Sequence, residues 1–233
     1  MSPQEIKIKY LLRLNKVASS DYSNIQDWQI RESFNKGQLE WTRRQIHGIN
    51  TLKEGDEESK MRVDDLNVLL NDPPINLPLT DEGDYVVTNP VPSDYAYFKR
   101  VIVKVSRKGC PSKQLGYCYF IEEANAEMWQ SDENKQPSFK WSESFFTIVN
   151  NKIKVYTNGD FTVDSIHLIY YRFPTEIDFL NCTHLDGTSG LDVSCEFKND
   201  VAEILVDEGV EIMKIDLEML NTQQSSQRKE NNN

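Results

Sequence analysis

The spacing of apolar residues changes twice along this 233-residue chain, and that change constrains the fold more than any single motif. From Ile6 to Val17 apolar residues recur at helical spacing and share one face of a helix. From Tyr85 to Tyr171 short runs rich in Val, Ile, Tyr and Phe alternate with turn residues, which is typical of β-strands. From Phe197 onward the helical spacing returns. The sequence therefore predicts an α+β fold with a β unit inserted between helical segments.

Three long helices and a short one are predicted outside the β region. The first begins with a capping box formed by Ser2 and Glu5 and continues to about Ala18. The second runs from about 24 to 47, and the short turn between the two predicts antiparallel packing. The third runs from about 197 to 220 and is expected to pack on the first two. The apolar stripes of the first two helices are Ile6, Tyr10, Leu11, Leu14 and Val17, and Ile25, Trp28, Phe34, Leu39, Trp41 and Ile46. A short helix is also expected from about 63 to 70.

Strands are predicted where β-branched and aromatic residues lie between turn residues. Asn150-Asn151 and Asn158-Gly159-Asp160 offer the positive φ angles that tight turns need, so a three-stranded meander is expected over 144–171. One or two helical turns are expected over 122–130, and a loop over 178–194. The predicted strands are 85–87, 97–105, 116–121, 144–149, 152–157 and 161–171.

These elements predict a helical bundle, made of two N-terminal helices and a long C-terminal helix, with an inserted antiparallel β-sandwich or barrel-like unit. The predicted boundaries are 1–72 for the N-terminal helical part, 73–195 for the β unit and 196–222 for the C-terminal helix packing on the N-terminal helices. Residues 223–233 contain no apolar side chain and are predicted to be a flexible tail.

Charge and hydropathy exclude several classes of protein. The 26 basic and 37 acidic residues give a net charge of −11, which argues against broad binding of nucleic acid. The longest apolar run, 117–121, is far shorter than the roughly 18 residues of a membrane span. Because the start lacks the basic and apolar regions of a secretory signal, we expect a cytosolic protein without membrane contact.

Few residues are arranged for chemistry. Cys182, His184 and Cys195 form a conceivable zinc site, but their irregular spacing favours ordinary reduced cysteines and a structural histidine. Glycine-rich phosphate loops and nucleophile motifs are absent from the sequence. The sequence therefore predicts no enzyme and no catalytic, cofactor-binding or metal-binding residues.

The C-terminal helix is unusually acidic. Eight acidic and two basic residues lie between Glu196 and Leu220, so this segment holds six of the eleven net negative charges. Such a helix faces water or meets a basic partner. Arg13, Arg43 and Arg44 are candidates for that partner, in the same subunit or in a neighbouring one.

Several segments, together covering nearly the whole chain, resemble the head–tail connector proteins (portal-adaptor or neck-ring proteins) of crAss-like podoviruses that infect Bacteroides. The segments that carry the resemblance are 10–18, 27–30, 34–36, 41–45, 97–101, 152–156, 170–172 and 197–201, with Asp207 and Glu208. The resemblance implies a structural virion protein that assembles in the host cytoplasm as a homo-oligomeric, dodecameric ring in the phage neck. It implies binding to the portal protein and to neighbouring tail or neck rings. Genomic DNA would pass through transiently, without sequence-specific binding.

Two hypotheses follow from the resemblance and the charge. Part of the acidic excess is expected to face the DNA channel, where it would let DNA pass without sticking. The terminal segment 221–233 is expected to become ordered against the portal.

Two other classes remain open. The β unit would instead be a ligand- or carbohydrate-binding sandwich of a virion or host-interaction protein if Trp129 and Trp141 were exposed. A metal-dependent nuclease would use acids of the last helix, such as Asp207, Glu208 and Glu211.

Overall fold

The computed structural model describes residues 1–15, 25–47, 64–71, 75–184 and 186–230, and the fold is α+β. The chain divides into two compact units. One, the helical unit, is formed by Met1–Val68 and Pro174–Asn233; the other, the β unit, is Leu69–Phe173. The helices are α1 (Pro3–Asn15), α2 (Asp27–His47), α3 (Ala126–Ser131) and α4 (Asn199–Glu230). The strands are β1 (Ile75–Leu77), β2 (Leu79–Asp81), β3 (Tyr85–Thr88), β4 (Tyr95–Arg107), β5 (Cys110–Gln114), β6 (Tyr117–Phe120), β7 (Glu143–Val149), β8 (Lys152–Tyr156) and β9 (Thr162–Arg172).

Helix α1 begins with the predicted capping box. The Glu5 N–H donates to Ser2 Oγ at 3.3 Å, and the Ser2 N–H donates to Glu5 Oε2 at 3.1 Å. Of the predicted stripe, Ile6, Tyr10 and Leu14 are fully buried. Asn15 is the last helical residue, and the predicted extension over 16–18 lies outside the described residues.

Helices α1 and α2 pack mainly on α4 and contact each other little. The buried face of α2 differs from the predicted stripe, because Ile30, Ser33 and Gln38 are buried whereas four predicted positions are only half-buried. Those four are Ile25, Trp28, Leu39 and Ile46. The face is thus partly polar. Ser33 donates to backbone carbonyls of its own helix, and Gln38 Nε2 donates to the Thr175 carbonyl at 2.8 Å, whereas Gln38 Oε1 is buried without a hydrogen-bond partner among the described residues.

The segment after the β unit belongs with the helices. The Asn35 side chain of α2 forms two hydrogen bonds with the backbone of Ile177: its Nδ2 donates to the carbonyl at 3.2 Å, and its Oδ1 accepts the N–H at 2.9 Å. These bonds explain why 174–195 belong to the helical unit, whereas the sequence placed them with the strands. Helix α4 starts at Asn199 rather than 196 and continues to Glu230, beyond the predicted end at 222. Of the predicted tail, 223–230 are helical, and 231–233 lie outside the described residues.

Two sheets form the β unit. Sheet A has the order β1-β9-β4-β5 and sheet B the order β2-β3-β8-β7-β6, and every neighbouring pair is antiparallel except the parallel pair β6–β7. Residues of both sheets form the larger apolar core, to which sheet A contributes Val101, Val103 and Leu168 and sheet B contributes Phe146 and Val155. Phe145 and Tyr156 of sheet B lie in a second, smaller cluster. Among the described strands neither sheet closes on itself into a barrel.

The predicted three-stranded meander over 144–171 is wrong in its last step. Strands β7 and β8 do form a hairpin, with Asn150 and Asn151 at φ angles of 51° and 58°. Strand β8, however, is paired with β7 on one edge and β3 on the other, so no edge remains for β9. The turn at 158–160 carries the chain to sheet A instead, where β9 pairs with β4 and β1.

Three strands were not predicted: β1, β2 and β5. The first two have only three residues each, and β5 is the polar sequence Cys-Pro-Ser-Lys-Gln. Their pairing partners, rather than their own apolar pattern, hold them in the sheets. The helical turns expected over 122–130 are present as a 3₁₀ turn at Glu123–Asn125 followed by α3. The short helix expected near 63–70 is a helical turn at 64–66 followed by a 3₁₀ turn at Asn67–Leu69.

Candidate functional site

Strand β6 is the edge of sheet B, and no described strand pairs with its outer side. The N–H groups of Tyr117 and Ile121 donate toward β7, to the carbonyls of Ser142 and Phe146. Because successive residues of a strand point their polar groups to opposite sides, the N–H and C=O groups of Cys118 and Phe120 point away from β7. An edge of this kind is a template for pairing with another chain.

The side chains of this edge are aromatic and exposed. Tyr117 is 60% exposed and stacks on Tyr119, with ring centroids 5.9 Å apart and planes 5° apart. On the other side of the strand, the exposed Phe120 contacts Phe98 at 4.9 Å, and Phe98 stacks on the exposed Tyr97 at 5.2 Å. We call the exposed members Tyr97, Tyr117, Tyr119 and Phe120 the aromatic edge. Exposed apolar patches of this kind mark interaction sites.

A second feature of the β unit is a groove of about 610 Å³ beside Trp141. Trp141 is 71% exposed, whereas Trp129 is half-buried against Phe145, with ring centroids 5.7 Å apart. The exposure of both tryptophans, which the alternative of a binding module requires, is therefore found at Trp141 and only partly at Trp129. The remaining lining is mostly polar: Glu133, Asn134, Gln136, Pro137, Ser138, Glu143, Asn158 and Asp160.

The acidic face of α4 meets basic residues of the same chain. Glu203 forms ion pairs with Lys9 and Arg13 of α1, and Arg13 also reaches Asp207 at 3.0 Å. Arg44 of α2 pairs with Glu208. Two of the three predicted basic partners, Arg13 and Arg44, are thus used within the subunit, and Arg43 is exposed. The acids Asp200, Glu211 and Asp216 lie exposed on the same helix.

The two paired carboxyls, Glu203 and Glu208, have pKa values shifted in opposite directions. The Lys9 ammonium and Arg13 guanidinium lower the pKa of Glu203. Glu208 is more deeply placed, and loss of water raises its pKa despite the Arg44 guanidinium. Pairing with cations therefore favours the charged form of Glu203, whereas burial disfavours the charged form of Glu208.

A hydrogen-bonded chain of side chains organises the loop at 178–191. His184 bonds through Nε2 to Asp178 Oδ1 and through Nδ1 to Thr188 Oγ1, both at 2.9 Å, and the Thr188 hydroxyl donates to Asp186 at 2.6 Å. Asp178 is buried and also accepts the N–H groups of Phe179 and Leu191. The hydroxyl proton of Thr188 points at a carboxylate and not at the imidazole, so the chain ties the loop together rather than activating a nucleophile.

The sequence suggested two conceivable metal sites, one at Cys182, His184 and Cys195 and one on the acids of the last helix, and the described side chains form a set of metal ligands at neither. Cys182 and Cys195 are buried free thiols, and the imidazole of His184 is bonded to Asp178 and Thr188. Within the described ranges no three His, Cys, Asp or Glu side chains come together as metal ligands, and this covers Asp207, Glu208 and Glu211. The sequence analysis did not predict the link from Asp178 to His184, although a His two positions before the Asp-Gly-Thr turn at 186–188 is a usable signal for a hydrogen-bonded loop.

None of the helices in the described ranges has the length and apolar character needed to cross a lipid bilayer. Comparison of the sequence with protein-family models and with curated proteins finds no match.

Proposed function

We propose that this protein is a structural ring subunit of a phage neck, which attaches to the portal and joins the capsid to the tail around a channel for DNA. In this proposal the helical unit is a bundle and the β unit a sandwich, as in the connector proteins that the sequence resembles. The protein is not an enzyme, and its location is the virion neck. The ring is a dodecamer, as the resemblance implies.

The observation that carries the proposal is the aromatic edge. Four exposed aromatic side chains surround a strand whose outer backbone groups have no described strand beside them. A lone soluble subunit gains nothing from exposing such a surface, whereas ring subunits bury it against the next copy through a heterologous, head-to-tail interface. Burial of aromatic side chains supplies much of the stability of such interfaces.

The exposed apolar residues of α1 support the same view of the helical unit. Ile8 and Leu12 lie one turn apart and are each 58% exposed. They share a face of α1 that is separate from the buried face of Ile6, Tyr10 and Leu14. A neighbouring copy or another neck ring would cover this pair.

Charge is consistent with DNA passing without being held. Lys9, Arg13 and Arg44 are engaged with acids of their own chain, so these three cations are not free to hold phosphate. The exposed acids Asp200, Glu211 and Asp216 are the ones we propose to face the channel. A ring whose channel is lined by Lys and Arg would contradict this part of the proposal.

The test is assembly. Electron microscopy and mass measurement of the purified protein, alone and mixed with the portal of its phage, are expected to show rings or ring-on-portal complexes. The double variant Tyr117→Glu with Tyr119→Glu should abolish them, because it places charge on the aromatic edge without touching the core. Lys104→Glu, an exposed change on sheet A, is the matched control and should assemble normally. A protein that stays monomeric at all concentrations and does not bind the portal would refute the proposal.

The contribution of the C-terminal segment is tested separately. Deletion of 221–233 is expected to weaken portal binding while leaving the fold intact. Unchanged binding would show that this segment has no role in attachment.

A further inference from the structure

We propose that the groove beside Trp141 is a binding site for a neutral saccharide. The inference does not depend on the ring function, because none of the residues that line the groove belongs to the aromatic edge. Three observations carry it: the rigid support of Trp141, the chemistry of the groove lining and the charge of that lining.

Trp141 stands at the tip of a firmly held hairpin turn. Ser138 and Glu143 exchange two backbone hydrogen bonds, of 2.9 and 3.2 Å, which close the turn. The Lys113 ammonium donates to Ser142 Oγ at 2.7 Å and to the Phe139 carbonyl, and lies 4.2 Å from the centre of the Phe139 ring. The indole is therefore exposed on a turn whose shape is fixed from several sides.

The far side of the turn is anchored as well. Asp160 accepts the Phe139 N–H at 2.7 Å and pairs with Arg107 at 3.1 Å. Phe139 itself is buried in the core of the β unit. Since the residue two positions before Trp141 is locked in the core, the 71% exposure of the indole does not come from a loose loop. A preorganised aromatic side chain loses little conformational entropy when a ligand binds to it.

The groove lining provides the hydrogen-bonding groups that a sugar site needs beside its aromatic platform. Aromatic faces are electron-rich and attract the weakly positive C–H groups on a pyranose ring. Around the indole stand amides and a hydroxyl, Asn134, Gln136, Asn158 and Ser138, which both donate and accept hydrogen bonds. Sugar hydroxyls also do both, so a flat apolar platform beside mixed donors and acceptors matches them. The volume of about 610 Å³ is within the usual range of roughly 300–1,000 Å³ for small-molecule sites.

The charge of the groove selects a neutral ligand. Glu133 and Glu143 line it as acids, whereas the acid Asp160 is paired with Arg107. The Lys140 ammonium lies over the Trp141 ring, 5.4 Å from its centre. Uronic acids, sialic acids and nucleic-acid phosphates would meet net negative charge. A metal ion has no three-ligand group among the described residues, and an apolar peptide would meet a polar wall.

The experiment titrates the full-length protein with cellohexaose, maltohexaose, mannohexaose and chitohexaose, and with trigalacturonate as the anionic comparison. Binding is followed by calorimetry and by tryptophan fluorescence. At least one neutral oligosaccharide is expected to bind, and Trp141→Ala is expected to weaken it by about tenfold or more. Trp141→Phe should retain part of the affinity. Phe173→Ala, which removes an exposed aromatic residue that belongs neither to the groove nor to the aromatic edge, should bind as the wild type does.

Each contrary result overturns the proposal. Absence of binding by all four neutral probes would do so, as would equal affinity of wild type and Trp141→Ala, or binding of trigalacturonate alone. The mass of the assembled particle is measured in parallel. Loss of assembly in Trp141→Ala, with no saccharide bound by the wild type, would assign Trp141 to a subunit interface instead. Saccharide binding by a protein that forms no ring would uphold the site while refuting the ring.

Discussion

Gly37 of α2 lies against the backbone of Gly209 of α4, so closely that a Cβ built on Gly37 would stand 3.3 Å from the Gly209 nitrogen. A Cβ built on Gly209 would stand 3.1 Å from Tyr10 Cε2 and 3.2 Å from Phe34 Cα. The two helices therefore cross where neither has a side chain. This close approach explains how two glycines, which disfavour helix, occur in the middle of α2 and α4.

Gly209→Ala is expected to destabilise the protein. The new methyl meets the Phe34 backbone, which cannot move away without shifting α2, and the overpacking penalty of about 1–3 kcal/mol exceeds the roughly 1 kcal/mol that alanine gains in a helix. Gly37→Ala has one close contact and should cost less. Urea unfolding of both variants measures the difference. An increase in the unfolding midpoint of Gly209→Ala would show that the helices can separate freely.

Tyr10→Phe is expected to destabilise the protein by about 1–2 kcal/mol, because it removes a buried hydroxyl with two partners. The hydroxyl donates to the Gly209 carbonyl at 2.7 Å and lies 2.6 Å from Ser33 Oγ. Its burial also raises the pKa of the phenol. Tyr117→Phe, on the exposed edge, is the matched control and should unfold as the wild type does. Equal midpoints for the two variants would contradict the role of the Tyr10 hydroxyl.

Glu203→Gln and Glu208→Gln are expected to change stability in opposite directions at neutral pH. The pKa of Glu203 is lowered, first by Lys9, so its charged form stabilises the fold and is lost on substitution. The pKa of Glu208 is raised by burial, so its charge opposes folding at neutral pH and removing it should raise the unfolding midpoint. Arg44 is half exposed to water and tolerates the loss of its partner. Midpoints that fall equally in both variants would contradict this difference.

Local pattern alone was enough to predict part of the fold. The Ser2 and Glu5 capping box and the Asn150-Asn151 hairpin depend on neighbouring residues only, and both are found as expected. Strand β9 pairs with β4, which lies about sixty positions earlier in the chain. The sequence from 158 to 162 is compatible both with a turn back along β8 and with a crossing to the other sheet, so it does not identify that partner. For that reason the meander was wrong while each of its strands was right.

The candidate surfaces likewise combine features that neighbouring residues predict with features that depend on distant pairing. The alternative of a binding module already required an exposed Trp141. The groove beside it, however, also needs Asn158 and Asp160, which come from a turn after β8. The parallel pairing of β6 with β7, which leaves the aromatic edge open, has no local signature either. An apolar run such as 117–121 is equally compatible with a buried central strand. Only the pairing shows that its aromatic side chains remain exposed.

Thiol titration of the native protein is expected to show one fast-reacting cysteine. All four cysteines are free, but only Cys110 is exposed. Burial raises the pKa of Cys118 to about 12 and also raises the pKa values of Cys182 and Cys195, which lowers their thiolate fraction. Cys110→Ser should remove the fast phase with Ellman's reagent, and all remaining thiols should react after unfolding. A fast phase that persists in Cys110→Ser would contradict the low reactivity expected of the other three thiols.

Acid is expected to destabilise the loop at 178–191 through Asp178. Burial pushes the pKa of Asp178 upward, but the hydrogen bond from His184 and the N–H groups of Leu191 and Phe179 outweigh it, so the pKa is held below its ordinary 3.8. The stabilisation is therefore complete above that value and is lost as the pH falls through the lower pKa of the folded state. Asp178→Asn should lower the unfolding midpoint at neutral pH and flatten its decline between about pH 5 and pH 2. Asp192→Asn, an exposed change directly after this loop, should leave the decline unchanged. A decline as steep in Asp178→Asn as in the wild type would show that other carboxylates set the acid sensitivity.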